Sequence, residues 1–179
     1  MTDAAGAGEL VRLVDDHGAD VGVAAKSSVH TTSTPLHLAF SCHVFDAEGR
    51  TLVTRRALSK LTWPGVWTNS FCGHPGLGES FEDALIRRAR YELGIELAAL
   101  TLVLPDFRYR AVDASGVVEN EICPVYRAGI AGSPTTLAPN PHEVCDWAWV
   151  DPAALAAAVS CAPFAFSPWL VLQLPGLDW

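Results

Sequence analysis

Two glutamates that lie one residue apart form a candidate metal-binding pair. Glu119 and Glu121 fall in a segment predicted to be a β-strand, where alternate residues point to the same face. Their carboxylates would face the same way, with Cα atoms about 7 Å apart. Like charges on one face repel unless a cation lies between them. A Glu-x-Glu pair alone is more typical of a solvated strand face, so further ligands decide the question.

Histidines can supply those further ligands. His30 and His37 lie close together in the sequence, and His74 follows later in the chain. Three imidazoles and two carboxylates make a nitrogen–oxygen site with one coordination position left open. That ligand set suits Mn2+, Zn2+ or Mg2+, and it differs from the thiolate set of a structural zinc site.

A third pattern spans residues 73–95 and predicts a loop, a helix and a second loop. It resembles the Nudix box, which binds divalent cations against diphosphates. Mg2+ prefers oxygen ligands and bridges to phosphate oxygens, while glycines let the loops fold tightly. The pattern reads Gly73-x5-Glu79-x7-Arg87, then Glu92-x-Gly94-Ile95.

Two residues depart from that box. Arg88 and Tyr91 stand where the Nudix pattern has glutamates. A Nudix hydrolase uses the acidic cluster to hold several Mg2+ ions and to activate water, so diphosphate hydrolysis is not expected here. Glu92 remains, and within this box we predict that it binds one Mg2+. The simpler interpretation of Glu92 is an i,i+4 ion pair with Arg88, worth about 0.3–0.5 kcal/mol on an exposed helix.

A cysteine opens the box, just before His74 and Pro75. The block TNSFCGHP is preceded by TRRALSK and WPGVWTNS and followed by RYELGIE, PDFRYRA and ENEICPV. These blocks resemble the type I isopentenyl-diphosphate isomerases from about residue 26 to the FSPW segment at 166–169. Such enzymes move a double bond in a five-carbon diphosphate by adding one proton and removing another. The resemblance implies a Nudix-like α/β (α+β) domain with mixed or antiparallel sheets flanked by helices.

The resemblance also assigns roles to individual residues. The catalytic groups would be Cys72, Glu121 and Tyr109, and Trp169 would face the cationic intermediate. For Trp169, core packing is the alternative. The ligands of the Mn2+, Zn2+ or Mg2+ site would be His30, His37, His74, Glu119 and Glu121. The substrate diphosphate would be held by Lys26, Arg56, Lys60 and Arg88. Its Mg2+ would be bound by Glu92 and by the backbone carbonyl of Cys72.

Two other functions share most of these features. A Nudix diphosphohydrolase acting on a nucleoside or related diphosphate would release phosphate. A non-catalytic Nudix-like module would bind metal and ligand without turnover. The changes at Arg88 and Tyr91, together with Cys72 and Glu121, favour the isomerase over both.

The elements that position these residues are predicted from periodicity and capping. Ser80 is expected to cap a helix that Gly94 ends, Asp151-Pro152 to start a second helix and Ser167-Pro168 a third. Strands are predicted at 9–14, 36–45, 50–55, 101–111, 117–127 and 143–150, with a hairpin turn over 113–116.

Composition limits the partners. The 179 residues fit one domain, 9–179, after a loose terminus at 1–8. A net charge of −8 without a basic run argues against nucleic acid, and we predict no membrane partner and a monomer or weak homodimer. Five cysteines without a CxxC motif indicate reduced thiols in the cytoplasm, and all except Cys72 are expected to be buried. His17, His43 and His142 match no family ligand and are expected to be ordinary surface or core residues.

Overall fold

The computed structural model describes residues 9–131 and 137–179, and the described residues form two β-sheets flanked by helices. The predicted mixed α+β fold is confirmed. The predicted loose terminus at residues 1–8 lies outside the described residues. The strands are β1 Leu10–Val14, β2 Asp20–Ala25, β3 His37–Leu38, β4 Phe40–Phe45, β5 Thr51–Arg56, β6 Trp67–Thr68, β7 Phe71–Gly73, β8 Leu97–Leu104, β9 Arg108–Val112, β10 Val118–Ile122, β11 Val125–Ile130 and β12 Val144–Val150. The helices are α1 Lys26–Val29, α2 Phe81–Leu93, α3 Pro152–Cys161 and α4 Pro168–Gln173.

Each sheet has its own strand order. The first sheet is β2-β1-β3-β10-β9, and the second is β12-β5-β4-β11-β8, with β6 added to β5 and β7 added to β4. Two of the pairings are parallel, β3 with β10 in the first sheet and β4 with β11 in the second. The sheets are therefore mixed, as predicted.

Three long strands predicted from the sequence are each divided between the two sheets. The predicted strands 36–45, 101–111 and 117–127 are wrong as continuous elements, because each one leaves the first sheet and enters the second, or the reverse. Pro105 and Pro124 lie at two of the breaks, where a missing N–H group interrupts pairing. At the third break, the N–H of Ala39 donates a hydrogen bond to the carbonyl of Ile122 in the first sheet. The next residue, Phe40, already pairs with β7 in the second sheet.

The cavity lies beside these breaks. There, strands of the two sheets bring residues with reactive or metal-binding side chains close together. In the first sheet the parallel pairing places His37 opposite Glu121. In the second sheet β7 lies against β4, so Cys72 is opposite Ser41. His37 and Ser41, both in the predicted strand 36–45, therefore lie in different sheets and contact different residues of the site.

Helix α2 follows its sequence signals closely. The Ser80 side chain accepts a hydrogen bond from the backbone N–H of Asp83, and Gly94 closes the helix with φ of 66°, in the left-handed region. Its buried face, which includes Leu85 and Leu93, packs against Phe40 and Phe71 of the second sheet. The helix is thereby fixed over β4 and β7, with its charged residues near the cavity.

Other local predictions have mixed outcomes. Asp151 caps α3 and Ser167 caps α4, as predicted, and the hairpin between β9 and β10 turns at residues 113–116. Strand β2 was not predicted; five of its six residues are exposed, and these include its two valines, Val21 and Val23. No helix among the described residues is long and apolar enough to cross a membrane.

The cysteine and histidine predictions also divide. Cys42 and Cys123 are buried, but Cys145 and Cys161 are exposed, so the prediction that all four are buried is wrong for these two. Cys145 lies on β12, the strand at one end of the second sheet, and Cys161 is the last residue of α3. Of the unassigned histidines, His43 is a core residue, and His17 and His142 are on the surface.

Candidate active site

Four side chains converge in a cluster that can hold a metal ion. The ligand atoms of His30, His37, His74 and Glu121 all lie within 4.8 Å of one another. His30 follows α1, His37 begins β3, His74 follows β7 and Glu121 lies on β10. The cluster therefore draws one ligand from each of four separate chain segments, three of them beside the change-over between the sheets.

The imidazole nitrogens are oriented for a metal. His37 Nδ1 lies 2.9 Å from the carbonyl oxygen of Pro35, to which it donates, so Nε2 is the ring nitrogen that faces the cluster. That Nε2 is 3.4 Å from Glu121 Oε1, and His30 Nε2 is 2.9 Å from Glu119 Oε2. Both Nε2 atoms are buried, and neither makes a well-directed hydrogen bond within the described residues. Buried nitrogen atoms without a hydrogen bond that point at carboxylates fit a divalent cation.

Glu119, the fifth predicted ligand, lies beside the cluster of four and contacts His30. The Thr62 hydroxyl donates a 2.8 Å hydrogen bond to Glu119 Oε1, leaving Oε2 to face His30. The guanidinium of Arg56 in turn donates to the Thr62 hydroxyl at 3.2 Å. Thr62 therefore connects a predicted metal ligand to a predicted diphosphate-binding cation, and sequence reasoning missed it.

Burial and charge set the protonation of the ligands. Burial lowers the pKa of His74 to about 4. Burial also lowers the pKa of His37, but the neighbouring Glu121 outweighs this effect and raises it overall. Burial raises the pKa of Glu121, yet His37 and His74 together hold it well below its usual range. Glu121 is therefore ionised and His74 is neutral, the forms in which both bind metal, whereas His37 would release any proton it holds on binding.

Cys72 lies on β7 next to this cluster. Its thiol donates to Asn69 Oδ1 at 3.4 Å, and its sulfur is 3.3 Å from Ser41 Oγ. Ser41 also accepts a 2.8 Å hydrogen bond from the amide of Gln173 on α4. Burial raises the pKa of Cys72 to about 12, so the group is a thiol at neutral pH.

Two aromatic residues complete this wall of the cavity. Tyr109 on β9 is the register partner of Glu121, and burial raises the pKa of its hydroxyl well above the usual value. The Trp169 ring lies 5.7 Å from that of Tyr109, and its Nε1 donates to Asn69 Oδ1 at 2.9 Å. The Arg56 guanidinium carbon is 5.2 Å from the centre of the Trp169 ring. Trp169 is thus a buried core aromatic that also lines the cavity.

The four predicted diphosphate-binding cations line the same cavity of about 590 Å³. Each already has a partner in this structure. Lys26 pairs with Glu9, Lys60 with Glu143, and Arg88 with Glu92 and Glu143. Arg56 instead donates to the backbone carbonyls of Thr62 and Trp63.

Glu92 makes the ion pair that the simpler interpretation predicted. Its Oε1 accepts a 2.9 Å hydrogen bond from Arg88 Nε, and both side chains are buried, which distinguishes the pair from a surface i,i+4 bridge. Arg88 also lies over the ring of Tyr91, 4.9 Å from its centre. Glu92 lines the cavity with Cys72, so the predicted Mg2+ ligands are brought to one wall.

Glu143 is the carboxylate that sequence reasoning missed at this wall. It precedes β12, and its backbone carbonyl accepts a hydrogen bond from the N–H of Ala57, the residue after β5. Its sequence neighbourhood carries no motif, and only the pairing of β12 with β5 brings it beside Lys60 and Arg88.

Known proteins resemble this chain in sequence over most of its length. Residues 35–170 match the NUDIX domain. The chain is 65% identical over 167 residues to an isopentenyl-diphosphate Delta-isomerase of Clavibacter michiganensis subsp. michiganensis, covering 93% of this chain and 84% of that protein. It is 64% identical over 171 residues to the protein of the same name from Leifsonia xyli subsp. xyli, covering 94% and 90%.

Solved structures show the same fold at low sequence identity. The crystal structure of DR0079 from Deinococcus radiodurans superposes with a TM-score of 0.71 and 20% identity, over 93% of this chain and 98% of that chain. A MutT protein from Methanosarcina mazei Go1 superposes with a TM-score of 0.59 and 13% identity, over 79% and 91%. These similarities establish the architecture.

Proposed function

Because this chain belongs to the isopentenyl-diphosphate Delta-isomerases of the NUDIX family, we propose that Cys72 and Glu121 carry out the proton exchange of its reaction. The chain isomerises isopentenyl diphosphate to dimethylallyl diphosphate, a step of isoprenoid biosynthesis. One proton is added to the terminal alkene carbon, and another leaves the methylene carbon on the far side of the double bond. The convergence of Cys72, the His/Glu cluster and the four cations on one cavity carries this proposal.

The resting protonation states of the two groups are complementary. Burial keeps Cys72 as a thiol, while His37 and His74 keep Glu121 ionised. One of the pair therefore holds a transferable proton and the other can accept one. Tyr109, paired in register with Glu121, would orient the carboxyl group toward the substrate.

Protonation of an alkene develops positive charge, and Trp169 is placed to stabilise it. Its ring already holds the Arg56 guanidinium at 5.2 Å, which shows that a cation can approach this ring. An aromatic face contributes about 2 kcal/mol or more to a desolvated cation. The burial of Trp169 and Tyr109 would also keep water from this wall of the cavity.

The His/Glu cluster fits a Mn2+, Zn2+ or Mg2+ ion held by His30, His37, His74, Glu119 and Glu121. A divalent ion bound there would lower the proton affinity of the Glu121 carboxylate and fix its orientation. A separate Mg2+ would accompany the diphosphate, bound by Glu92 and the Cys72 carbonyl. Lys26, Arg56, Lys60 and Arg88 would bind the phosphate oxygens after exchanging their present partners.

Further properties belong to the same proposal. We expect a small-molecule diphosphate to be the substrate, no nucleic-acid or membrane partner, and a monomer or weak homodimer in the cytoplasm. The net charge of −8 and five unpaired cysteines support this expectation. Size-exclusion chromatography coupled to light scattering would measure the oligomeric state.

Product analysis tests the proposed function. The purified protein is incubated with isopentenyl diphosphate and Mg2+, with Mn2+ or Zn2+ added in parallel, and followed by proton NMR and a phosphate assay. We expect dimethylallyl diphosphate without phosphate release. Phosphate release with an unchanged alkene would identify a hydrolase, and binding without turnover would identify a binding module.

A further inference from the structure

The cavity as a whole carries as many carboxylates as cations before any ligand enters. Four cationic and four carboxylate side chains line the cavity; of the carboxylates, Glu121 belongs to the His/Glu cluster and Glu119 lies beside it, in contact with His30. The other two carboxylates are Glu92 and Glu143, and both contact the cations expected to bind the diphosphate. An entering diphosphate therefore meets carboxylates as well as cations.

Glu143 is the carboxylate that joins those cations. Its Oε1 lies 3.2 Å from Arg88 Nη2, and its Oε2 forms an ion pair with Lys60. Its side chain is only 10% exposed. Burial raises the pKa of Glu143, but Lys60 and Arg88 outweigh burial and lower it overall, so the group is a carboxylate at neutral pH. A buried negative charge thus occupies the space between two diphosphate-binding residues.

This placement has a consequence for the form of the ligand. A free diphosphate would take Lys60 and Arg88 from Glu143 and leave its carboxylate beside phosphate oxygens of the same charge, at a high electrostatic cost. A diphosphate that carries Mg2+ brings the missing positive charge. Glu143 then faces a cation complex instead of bare phosphate oxygens.

We propose that Glu143 is a specificity-determining residue that makes the cavity accept the Mg2+ complex of a diphosphate in preference to the free diphosphate. The proposal rests on the proposed function, since it requires the cavity to bind diphosphates. Glu143 lies outside the Nudix-like box, and its carboxylate would distinguish the Mg2+ complex of the diphosphate from the more negatively charged free diphosphate. A purely structural Glu143 would hold Lys60 and Arg88 in place without discriminating between these forms.

Calorimetric titration with inorganic pyrophosphate tests the proposal. The probe is titrated into wild-type protein, Glu143→Gln and Glu143→Asp, each with and without Mg2+. The His/Glu cluster is loaded identically in every sample, so the ratio of the two affinities within a variant isolates Glu143. Glu96→Gln is the control for net charge, because Glu96 forms an exposed ion pair with Arg90 and does not line the cavity.

The expected result is a change in the Mg2+ dependence of binding. Wild type and Glu143→Asp bind pyrophosphate more tightly with Mg2+, as does Glu96→Gln. Glu143→Gln binds Mg2+-free pyrophosphate about tenfold more tightly than wild type and loses most of the gain from Mg2+. Equal weakening of both affinities in Glu143→Gln would overturn the proposal, because it indicates only a structural role.

The wild type alone can also overturn it, which matters if Glu143→Gln fails to fold. Equal wild-type affinity with and without Mg2+ contradicts the proposal whatever the variants do. Absence of pyrophosphate binding in both conditions is a different outcome. It removes the diphosphate site of the proposed function, and the present inference with it.

Discussion

The cavity has two charged regions, the His/Glu cluster and the cation region of Lys26, Lys60 and Arg88, and their charged groups differ in whether they are already paired. In the His/Glu cluster, buried nitrogen atoms of His30 and His37 make no hydrogen bond within the described part of the chain and point at carboxylates. In the cation region, Lys26, Lys60 and Arg88 are all paired with carboxylates. The first region presents nitrogen and oxygen atoms arranged for a cation, whereas in the second region these cations are already paired with carboxylates.

The difference teaches what each region does when its ligand binds. At His30 and His37 a metal would meet ring nitrogen atoms that make no hydrogen bond within the described residues, and only the 3.3 Å contact of His74 Nε2 with Glu121 Oε1 would be exchanged for the metal. A diphosphate entering the cation region must exchange partners with carboxylates, which is typical of a ligand that comes and goes. Cys72 lies between them, so the reacting carbons would sit where the fixed and the exchangeable regions meet.

The substitution expected to reduce turnover most is in the His/Glu cluster. Glu121→Gln removes the carboxylate that contacts both His37 and His74, together with a proposed proton carrier. We expect turnover to fall by about 10²–10⁴-fold, with weaker metal retention measured by elemental analysis after dialysis. The matched control is Glu96→Gln on the surface. Unchanged turnover in Glu121→Gln would contradict the assigned role.

Breaking the second region should affect stability more than metal binding. Arg88→Met leaves Glu92 and Glu143 buried without their common partner, and we expect unfolding to become about 3–5 kcal/mol easier in urea. Metal retention by the His/Glu cluster should stay at the wild-type level. Arg90→Met, on the same helix and in an exposed pair with Glu96, should change stability far less. Equal losses in the two variants would argue that the buried pairs have no special importance.

A smaller effect tests whether the two regions are connected. Thr62→Val keeps the shape of the side chain but removes the hydrogen bonds to Glu119 and from Arg56. Support of a metal ligand by such a partner is typically worth about tenfold or more in affinity, so metal affinity should fall by that amount in a competition assay with a chelating dye. Thr51→Val is the control, because the buried Thr51 hydroxyl has no hydrogen-bond partner within the described residues. If both variants bind metal as tightly as the wild type does, the Thr62 hydrogen bonds contribute nothing to metal affinity.

Most local elements could be predicted from the sequence, and the places where prediction failed have a common cause. Ser80, Gly94, Asp151 and Ser167 act through hydrogen bonds to nearby backbone, so their positions alone locate the helices. The change-over of strands between sheets depends on long-range pairing, which periodicity does not record. The even positions of 36–45 are apolar on both sides of Ala39, so the alternation predicted one strand where the structure has two.

The site shows the same division. The family motifs located the cluster of His30, His37, His74 and Glu121, which the structure brings together. Glu143 and Thr62 could not be predicted, because each reaches the cavity through tertiary contacts and carries no spacing signal. Glu92 had two interpretations from the sequence, and the structure shows the buried ion pair with Arg88, while its binding of Mg2+ stays a prediction.

Deuterium exchange distinguishes a catalytic Cys72 thiol from one that only lines the cavity, because the metal and the diphosphate are expected to bind without the Cys72 side chain. Wild type and Cys72→Ala are incubated with isopentenyl diphosphate and Mg2+ in D2O and followed by proton NMR. We expect deuterated dimethylallyl diphosphate from the wild type and none from Cys72→Ala, although the variant still binds pyrophosphate with Mg2+. Near-normal formation of deuterated product by Cys72→Ala would contradict the account.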